Sequence, residues 1–409
     1  MRQLPAPHHI ADNRPLKGRG ALSNRCGRFE SYSRDPFDDG WAQSLAPQIL
    51  IGANAEPEAG EQEAGQWENG AEPQAGTPLA LRGEEEARWR DQPAPPTQVL
   101  PDKARSLITR NNSPDVPFDR SINPYRGCEH GCIYCFARPN HAHLGLSPGL
   151  DFERKLFAKH DAAALLRKEL SRPSYRPATL ALGVVTDCYQ PIERELKITR
   201  GLIEVLADAK HPFCIITKSS GILRDLDLLA PLAAEGLFKA CVSVTTLDRR
   251  LSRLLEPRAA TPHRRLHTIK ELSRAGIPVT VMAAPMIPAL NDMELESILA
   301  SAAAAGARQA SYVLLRLPLE VGPLFEEWLT QHYPYRKARV LALVRETRAG
   351  ALNQAAFGTR MRGEGVYADL LRQRFRRSLK QLKLTHRVDE LNSQLFRRPA
   401  GDARQLSLL

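Results

Sequence analysis

Residues 180–217 read LALGVVTDCYQPIERELKITRGLIEVLADAKHPFCIIT, and this stretch decides the fold class. Its ends, Leu180 to Thr186 and Pro212 to Thr217, are short runs rich in β-branched residues and apolar on both faces, as strands covered by helices should be. Between them Pro191 suits a first helical position and Glu193 and Glu195 a first turn. Ile192, Leu196, Thr199, Ile203 and Leu206 then trace one face of a single helix. The pattern repeats downstream. Phe238 to Thr245, Ile277 to Ala284 and Gln309 to Leu317 read as further strands. A second helix starts at Thr261-Pro262, turns Leu266, Ile269 and Leu272 inward and stops at Gly276; a third is capped at Asn291 or Asp292 and ends at Gly306. Strand and helix in alternation predict an α/β protein with a parallel sheet. Periodicity leaves a flat doubly wound sheet and a closed or partial barrel equally open, and either places the functional atoms at the C-terminal ends of the strands.

The 409 residues allow two or three domains. Residues 1–40 form an N-terminal segment whose LKGRGALSNRCGRFE stretch suits docking on the core or on a phosphate. Residues 41–98, dominated by Glu, Ala, Gly, Pro and Gln, predict a disordered linker, 99–320 a β/α core, and 321–409 a basic, mostly helical extension. Residues 336–409 hold 17 Lys and Arg against 6 Asp and Glu, an excess equal to the net charge of the whole chain. That excess suits nucleic acid or another anion, and it equally suits a solvated face around Arg372, Arg374, Arg376 and Arg377. The start lacks an apolar signal core. The longest mostly apolar stretch, Ile277 to Leu290, is 14 residues with three prolines, short of the ~20 of a spanning helix. Seven cysteines are too few for a disulfide scaffold, so a cytoplasmic protein without a membrane partner is expected.

Three of the seven lie in NPYRGCEHGCIYCFARP (residues 123–139), where Cys128, Cys132 and Cys135 are spaced C-x3-C-x2-C. Thiolates so close repel one another unless a cation neutralises them, so a metal is the default. One reading is an iron–sulfur cluster with one metal position left open, since such clusters usually take four Cys ligands. The other is a Cys3His zinc site completed by His130, His141 or His143, which would make the chain a nucleic-acid-binding protein without catalysis. Cys214 and Cys241 sit inside apolar runs and read as core.

With an aromatic, Tyr134, before the last cysteine and a run of β/α units behind it, this loop resembles the radical S-adenosylmethionine (SAM) superfamily. The likeness is nearest to an uncharacterised bacterial branch related to spore photoproduct lyase. It covers roughly residues 100–385 through LGLSPGLDFE, DCYQPIERELKITR, ITKSSGILRDLDLL, SVTTLDRRLSRLLEPRAATPHRRL, LLRLPLEV and FGTRMRGEGVYADL. The resemblance implies a partial (β/α)6 TIM-like barrel and a [4Fe–4S] cluster on Cys128, Cys132 and Cys135. It also implies SAM chelating the fourth iron, reductive cleavage to a 5′-deoxyadenosyl radical, and hydrogen abstraction from an unknown substrate. An electron donor such as flavodoxin or ferredoxin is implied too. Residue by residue, Tyr134 matches a position beside the adenine, Lys218 and Ser243 match contacts to the SAM carboxylate, and Ala284 matches a backbone contact to adenine. Glu256 and Arg258 match a Glu-Pro element of the site. Asp187 falls where a strand-end carboxylate would meet SAM or substrate, or cap a helix. DNA photolesion repair of the lyase type is the alternative activity, but Val184 stands where the lyases place their hydrogen-donating cysteine. Cys188 is the substitute thiol on offer. Arg360, Arg362 and Glu364 lie in a glycine-rich loop suited to closing the barrel mouth or holding an anionic substrate.

Overall fold

A computed structural model describes residues 16–30, 96–386 and 390–399; the expected linker lies outside them except at its last residues. Ten strands follow in chain order: β1 (Gln98–Pro101), β2 (Thr109–Arg110), β3 (Arg120–Ile122), β4 (Tyr125–Arg126), β5 (Lys155–Ala158), β6 (Leu180–Leu182), β7 (Phe213–Thr217), β8 (Phe238–Ser243), β9 (Val279–Met286) and β10 (Gln309–Leu314). The large sheet has the order β10-β9-β8-β7-β6-β3-β2. From β3 to β10 every pairing is parallel, and β2 adds an antiparallel edge.

That order separates the two architectures the sequence left open. A doubly wound sheet reverses its strand order at a switch point, whereas these six parallel strands succeed one another in one direction. Right-handed crossovers that never reverse put all the helices on one face, and the sheet curls around the other as a partial barrel. A small sheet, β1-β5-β4, flanks the loop between β3 and β6.

The helix Pro262–Arg274 forms as expected, with Ile269 and Leu272 fully buried and Gly276 beyond it at a φ of 78°. Three expectations are corrected. The helix read from Pro191 is two pieces, Glu193–Leu196 and Ile198–Asp208, broken at Lys197 with a φ of 52°. The reason is Glu193, whose carboxylate turns inward to take the Thr199 N–H at 3.1 Å and the Tyr125 hydroxyl, and so caps the second piece. Asn291 stands at the N-cap position of the turn Asp292–Glu294 but makes no side-chain cap bond: it accepts from the Ile287 N–H at 2.6 Å and donates to the carbonyls of Thr245 (2.7 Å) and Pro285 (3.0 Å). β6 stops at Leu182 rather than Thr186, because Gly183 turns at a φ of 81° with the Ile216 carbonyl 2.4 Å from where a Cβ would sit.

After β10 come the helices Val321–His332, Pro334–Glu346 and Val366–Leu382. The last packs Phe375 on Tyr312 of β10, ring centres 4.8 Å apart. Of its arginines, Arg372 and Arg374 pair with Asp369 (2.7 Å) and Glu296 (2.6 Å), while Arg376 and Arg377 face solvent. Among the described residues no helix is long and apolar enough to cross a membrane.

Candidate active site

The cysteine loop begins where β3, first of the parallel strands, ends. Gly127 allows the turn into it at a φ of 77°, with Leu156, Phe152 and His141 crowding the space a side chain would need. The Cys128 N–H then bonds to the Phe152 carbonyl at 2.9 Å. Cys128 and Cys132 are buried and Cys135 half-buried. Burial first, and the neighbouring thiol Cys132 next, push the Cys128 thiol well above its usual range. Burial lifts Cys132 up to about 12, against the pull of the Lys218 ammonium. Thiols held this close stay protonated unless a cation enters among them.

A buried ion pair frames the loop. Arg138 and Glu153, both with side chains 0% exposed, meet at 2.5 Å. The Arg138 guanidinium also reaches the carbonyls of Cys132 (2.9 Å), Gly131 (3.1 Å), Pro148 (3.1 Å) and Gly149 (3.0 Å). The Glu153 carboxylate takes the N–H groups of Gly20 (2.9 Å) and Ala21 (2.8 Å), so the segment 16–30 lies against the cysteine loop. Only glycine fits at position 20, since a Cβ there would stand 1.9 Å from the Gly131 carbonyl. Sequence reasoning missed Arg138 and Glu153, and nothing in their spacing marks them as partners.

Two further carboxylates tie the loop to the strand ends. Glu129 pairs with Arg258 at 2.8 Å and accepts from Thr97 (2.8 Å) and the Ile192 N–H (2.7 Å), which makes Arg258 a support of the loop. Asp187 accepts from the Thr217 hydroxyl (2.8 Å) and the N–H groups of Lys218 (2.7 Å) and Tyr189 (2.9 Å), with His130 at 3.4 Å. Burial would raise the Asp187 carboxyl, but His130 and the backbone donors hold it down at about 2. Asp187 thus joins the ends of β6 and β7 to the cysteine loop.

Lys218, just past β7, faces the site from the other side. Its backbone is engaged, but among the described residues its ammonium makes no hydrogen bond or ion pair and stands 5.9 Å from the centre of the Tyr134 ring. Burial alone would lower its pKa; the Cys132 thiol and Glu256 hold it above the usual value. The Tyr134 hydroxyl donates to buried Glu256, which also takes the Thr245 hydroxyl (2.7 Å) and the Arg265 guanidinium. Burial works against ionisation of Glu256, and Arg265 and Lys218 keep it below the usual carboxylate range. Arg265 further binds the Ser243 carbonyl at 3.1 Å, and the Ser243 hydroxyl bonds to the Ala284 carbonyl at 3.0 Å. Tyr134, Lys218, Ser243, Glu256 and Ala284 are therefore one connected wall, to which Thr245 and Arg265 belong although sequence reasoning did not name them. The Glu-Pro block that contains Glu256 was the available signal.

Cys188 is 0% exposed in the main core, with its sulfur 3.3 Å from the Cβ position of Gly183. The mouth loop closes the sheet: Arg360 pairs with Asp115 of the β2–β3 connection at 2.6 Å, and the Met361 carbonyl accepts from the Leu314 N–H of β10 at 2.9 Å. Arg362 meets His386 at 3.0 Å and Glu364 meets Gln354 at 3.4 Å.

The donor set fits a cluster better than a single ion. Among the described residues no three His, Cys, Asp or Glu side chains converge closely enough to hold one metal ion. In an iron–sulfur cube each thiolate binds a different iron, so its sulfurs stand wider than around one zinc. The histidines of the zinc alternative are engaged elsewhere: His130 with Asp187, His141 with the Lys155 carbonyl at 2.9 Å, and His143 against the Phe29 ring.

Comparison with known proteins agrees. The family model of the radical SAM superfamily matches residues 122–302. An uncharacterized protein of Mycobacterium tuberculosis is 39% identical over 236 residues, 57% of this chain and 69% of that protein. One of Methanocaldococcus jannaschii is 25% identical over 202 residues, 48% and 71% of the two chains. Among solved structures, spore photoproduct lyase with bound AdoMet and dinucleoside spore photoproduct aligns with a TM-score of 0.51 at 14% identity. It covers 69% of this chain and 78% of that one, and at such identity the likeness concerns the fold. The chain belongs to the radical SAM superfamily. With membership come the superfamily's cofactors, a [4Fe–4S] cluster and SAM.

Proposed function

We propose that this protein is a radical SAM enzyme that holds its cluster on Cys128, Cys132 and Cys135 and abstracts hydrogen from a substrate. The cluster with SAM supplies, on one-electron reduction, a 5′-deoxyadenosyl radical. The observation that carries the reading is the Lys218 ammonium, which makes no hydrogen bond or ion pair among the described residues and stands by Cys132, Cys135, Glu256 and the Tyr134 ring. Lys218 offers its charge to the carboxylate of SAM. Ser243 and Ala284 supply the strand-end polar edge, and Tyr134, pinned by Glu256, supplies an aromatic wall. Asp187 and Arg258 act as positioning residues for the loop. The Arg138–Glu153 pair and residues 16–30 pack over the loop on its other side, and excluding water there favours radical chemistry. Cys128, Cys132, Cys135, Cys188, Cys214 and Cys241 form no disulfide, which supports a reducing, cytoplasmic setting with a flavodoxin or ferredoxin type donor.

Anaerobic purification tests this. Brown protein with about four irons per chain, releasing 5′-deoxyadenosine from SAM after dithionite reduction, is expected. Colourless protein with stoichiometric zinc, or iron-loaded protein that leaves SAM intact, overturns it. Photolesion repair is a second reading, favoured by the fold shared with spore photoproduct lyase and opposed by Val184 and by the burial of Cys188.

A further inference from the structure

Three guanidinium groups crowd the C-terminal end of β10. Arg348 is buried and spends its donors on the carbonyls of Leu314, Leu315, Thr359 and Arg360. Arg360 pairs with Asp115 and stacks over Phe357 at 4.7 Å. Arg316, two residues past β10, has neither kind of partner: among the described residues it forms no hydrogen bond or ion pair. Its guanidinium carbon instead stands 5.0 Å from the centre of the Phe136 ring. Phe136 directly follows the cluster cysteine Cys135 and is 42% exposed. This contact spans the barrel mouth from the last parallel strand to the loop after the first.

The three guanidinium groups outnumber the carboxylates beside them, Asp115 and Glu364, the latter acting on Arg348. Arg348 and Arg360 are of like sign, and the one carboxylate within electrostatic reach of Arg316 itself, Asp115, is already taken by Arg360. The half-buried Arg316 fork is open to solvent on its donor side, and its geometry matches the paired oxygens of a phosphate. An exposed ring beside such a fork is how unpaired bases are held, and the excess of basic residues in 336–409 favours a polyanion over a lone carboxylate.

We infer that Arg316 and Phe136 seat a phosphate and the adjoining base of a single-stranded nucleic acid at the barrel mouth. The inference deepens the enzyme reading and rests on it. The test is fluorescence anisotropy of a short fluorescein-labelled oligothymidylate with the full, anaerobically reconstituted chain. Arg316→Gln should weaken binding about tenfold and reduce the salt slope by about one. Phe136→Ala should weaken it about tenfold. Arg372→Gln, on the outer helix, should change it less than about twofold. Iron content and the unfolding midpoint report whether each variant has folded; if Arg316→Gln has not, Arg316→Lys carries the test, with about threefold weaker binding expected from the lost fork.

Binding by a folded Arg316 variant equal to that of the unaltered chain overturns the inference. So does an equal loss in Arg372→Gln, no binding by the unaltered chain, or tighter binding of a duplex than of the single strand. Thymidine 5′-monophosphate competing as well as the strand would assign the seat to a free nucleotide and overturn the strand. These outcomes differ from failure of the enzyme reading, in which the unaltered chain releases no 5′-deoxyadenosine.

Discussion

The loop that carries the cysteines and the mouth it opens onto are built on opposite principles. In the loop nearly every polar group has a partner: Arg138 alone engages four carbonyls and a carboxylate, and Glu153 engages two backbone donors besides. Across the mouth the ammonium of Lys218 and the fork of Arg316 are idle among the described residues, and Phe136 and Phe357 are exposed. A fully satisfied network is rigid, while unsatisfied groups are a reserve of binding energy for something not part of the chain. The difference teaches that the cofactor frame is organised in advance and that recognition is left for the ligands to complete.

The strongest way to break this contrast is at the cysteines. Replacing any one of Cys128, Cys132 or Cys135 with Ala should abolish the visible absorbance of the cluster and the release of 5′-deoxyadenosine together. Full product from any single variant would dissolve the ligand assignment.

The frame should respond next. Glu153→Ala leaves the buried Arg138 charge and two backbone donors without their acceptor, a loss of about 3–5 kcal/mol. Denaturant unfolding should show it, along with poorer iron retention, and Glu153→Gln should cost less. Unchanged stability would mean the loop is not framed by this pair.

A third measurement looks away from both regions, to the floor of the barrel. Buried His211 has its ring nitrogens 2.7 Å from the Tyr175 hydroxyl and 2.9 Å from the Pro212 carbonyl, and burial brings its pKa from 6.5 down to about 4. The folded state therefore binds this proton less readily than the unfolded one. Its contribution is complete above about pH 6.5 and is lost as pH falls through 4, up to about 3 kcal/mol in all. Stability measured between pH 7 and 4 should fall accordingly and flatten in His211→Gln; an identical slope in that variant would remove His211 from the account.

The smallest effect sharpens the contrast. Lys218→Ala should spare the cluster and weaken SAM binding by about tenfold, the worth of one charge-assisted contact. A SAM titration of the iron-loaded variant that matches the parent would take Lys218 out of the site.

Much of this was readable in advance where the cues are local. The strands β7, β8 and β10 begin within a residue of their apolar runs, and the cysteine spacing together with Lys218 at a strand end pointed to segments that the fold brings near one another. The small β1-β5-β4 sheet escaped notice because two- to four-residue strands carry too little periodicity to register. Asn291 stands at the expected cap position, but its side-chain oxygen is taken by the Ile287 N–H rather than by its own turn. Arg265, Thr245 and Arg316 were passed over because their partners come from other elements.

Hydrophobic period and turn residues suffice to specify a parallel β/α unit, and three thiols within eight positions suffice to specify a shared cation, since both act over neighbours along the chain. Folding alone settles that the strands succeed one another without reversal, that Gly20 rests on the carbonyl of Gly131, and that Arg138 is neutralised while Arg316 is not. Those outcomes turn on distances between groups far apart along the chain, where the low dielectric of the interior makes proximity in space decide which charges are matched.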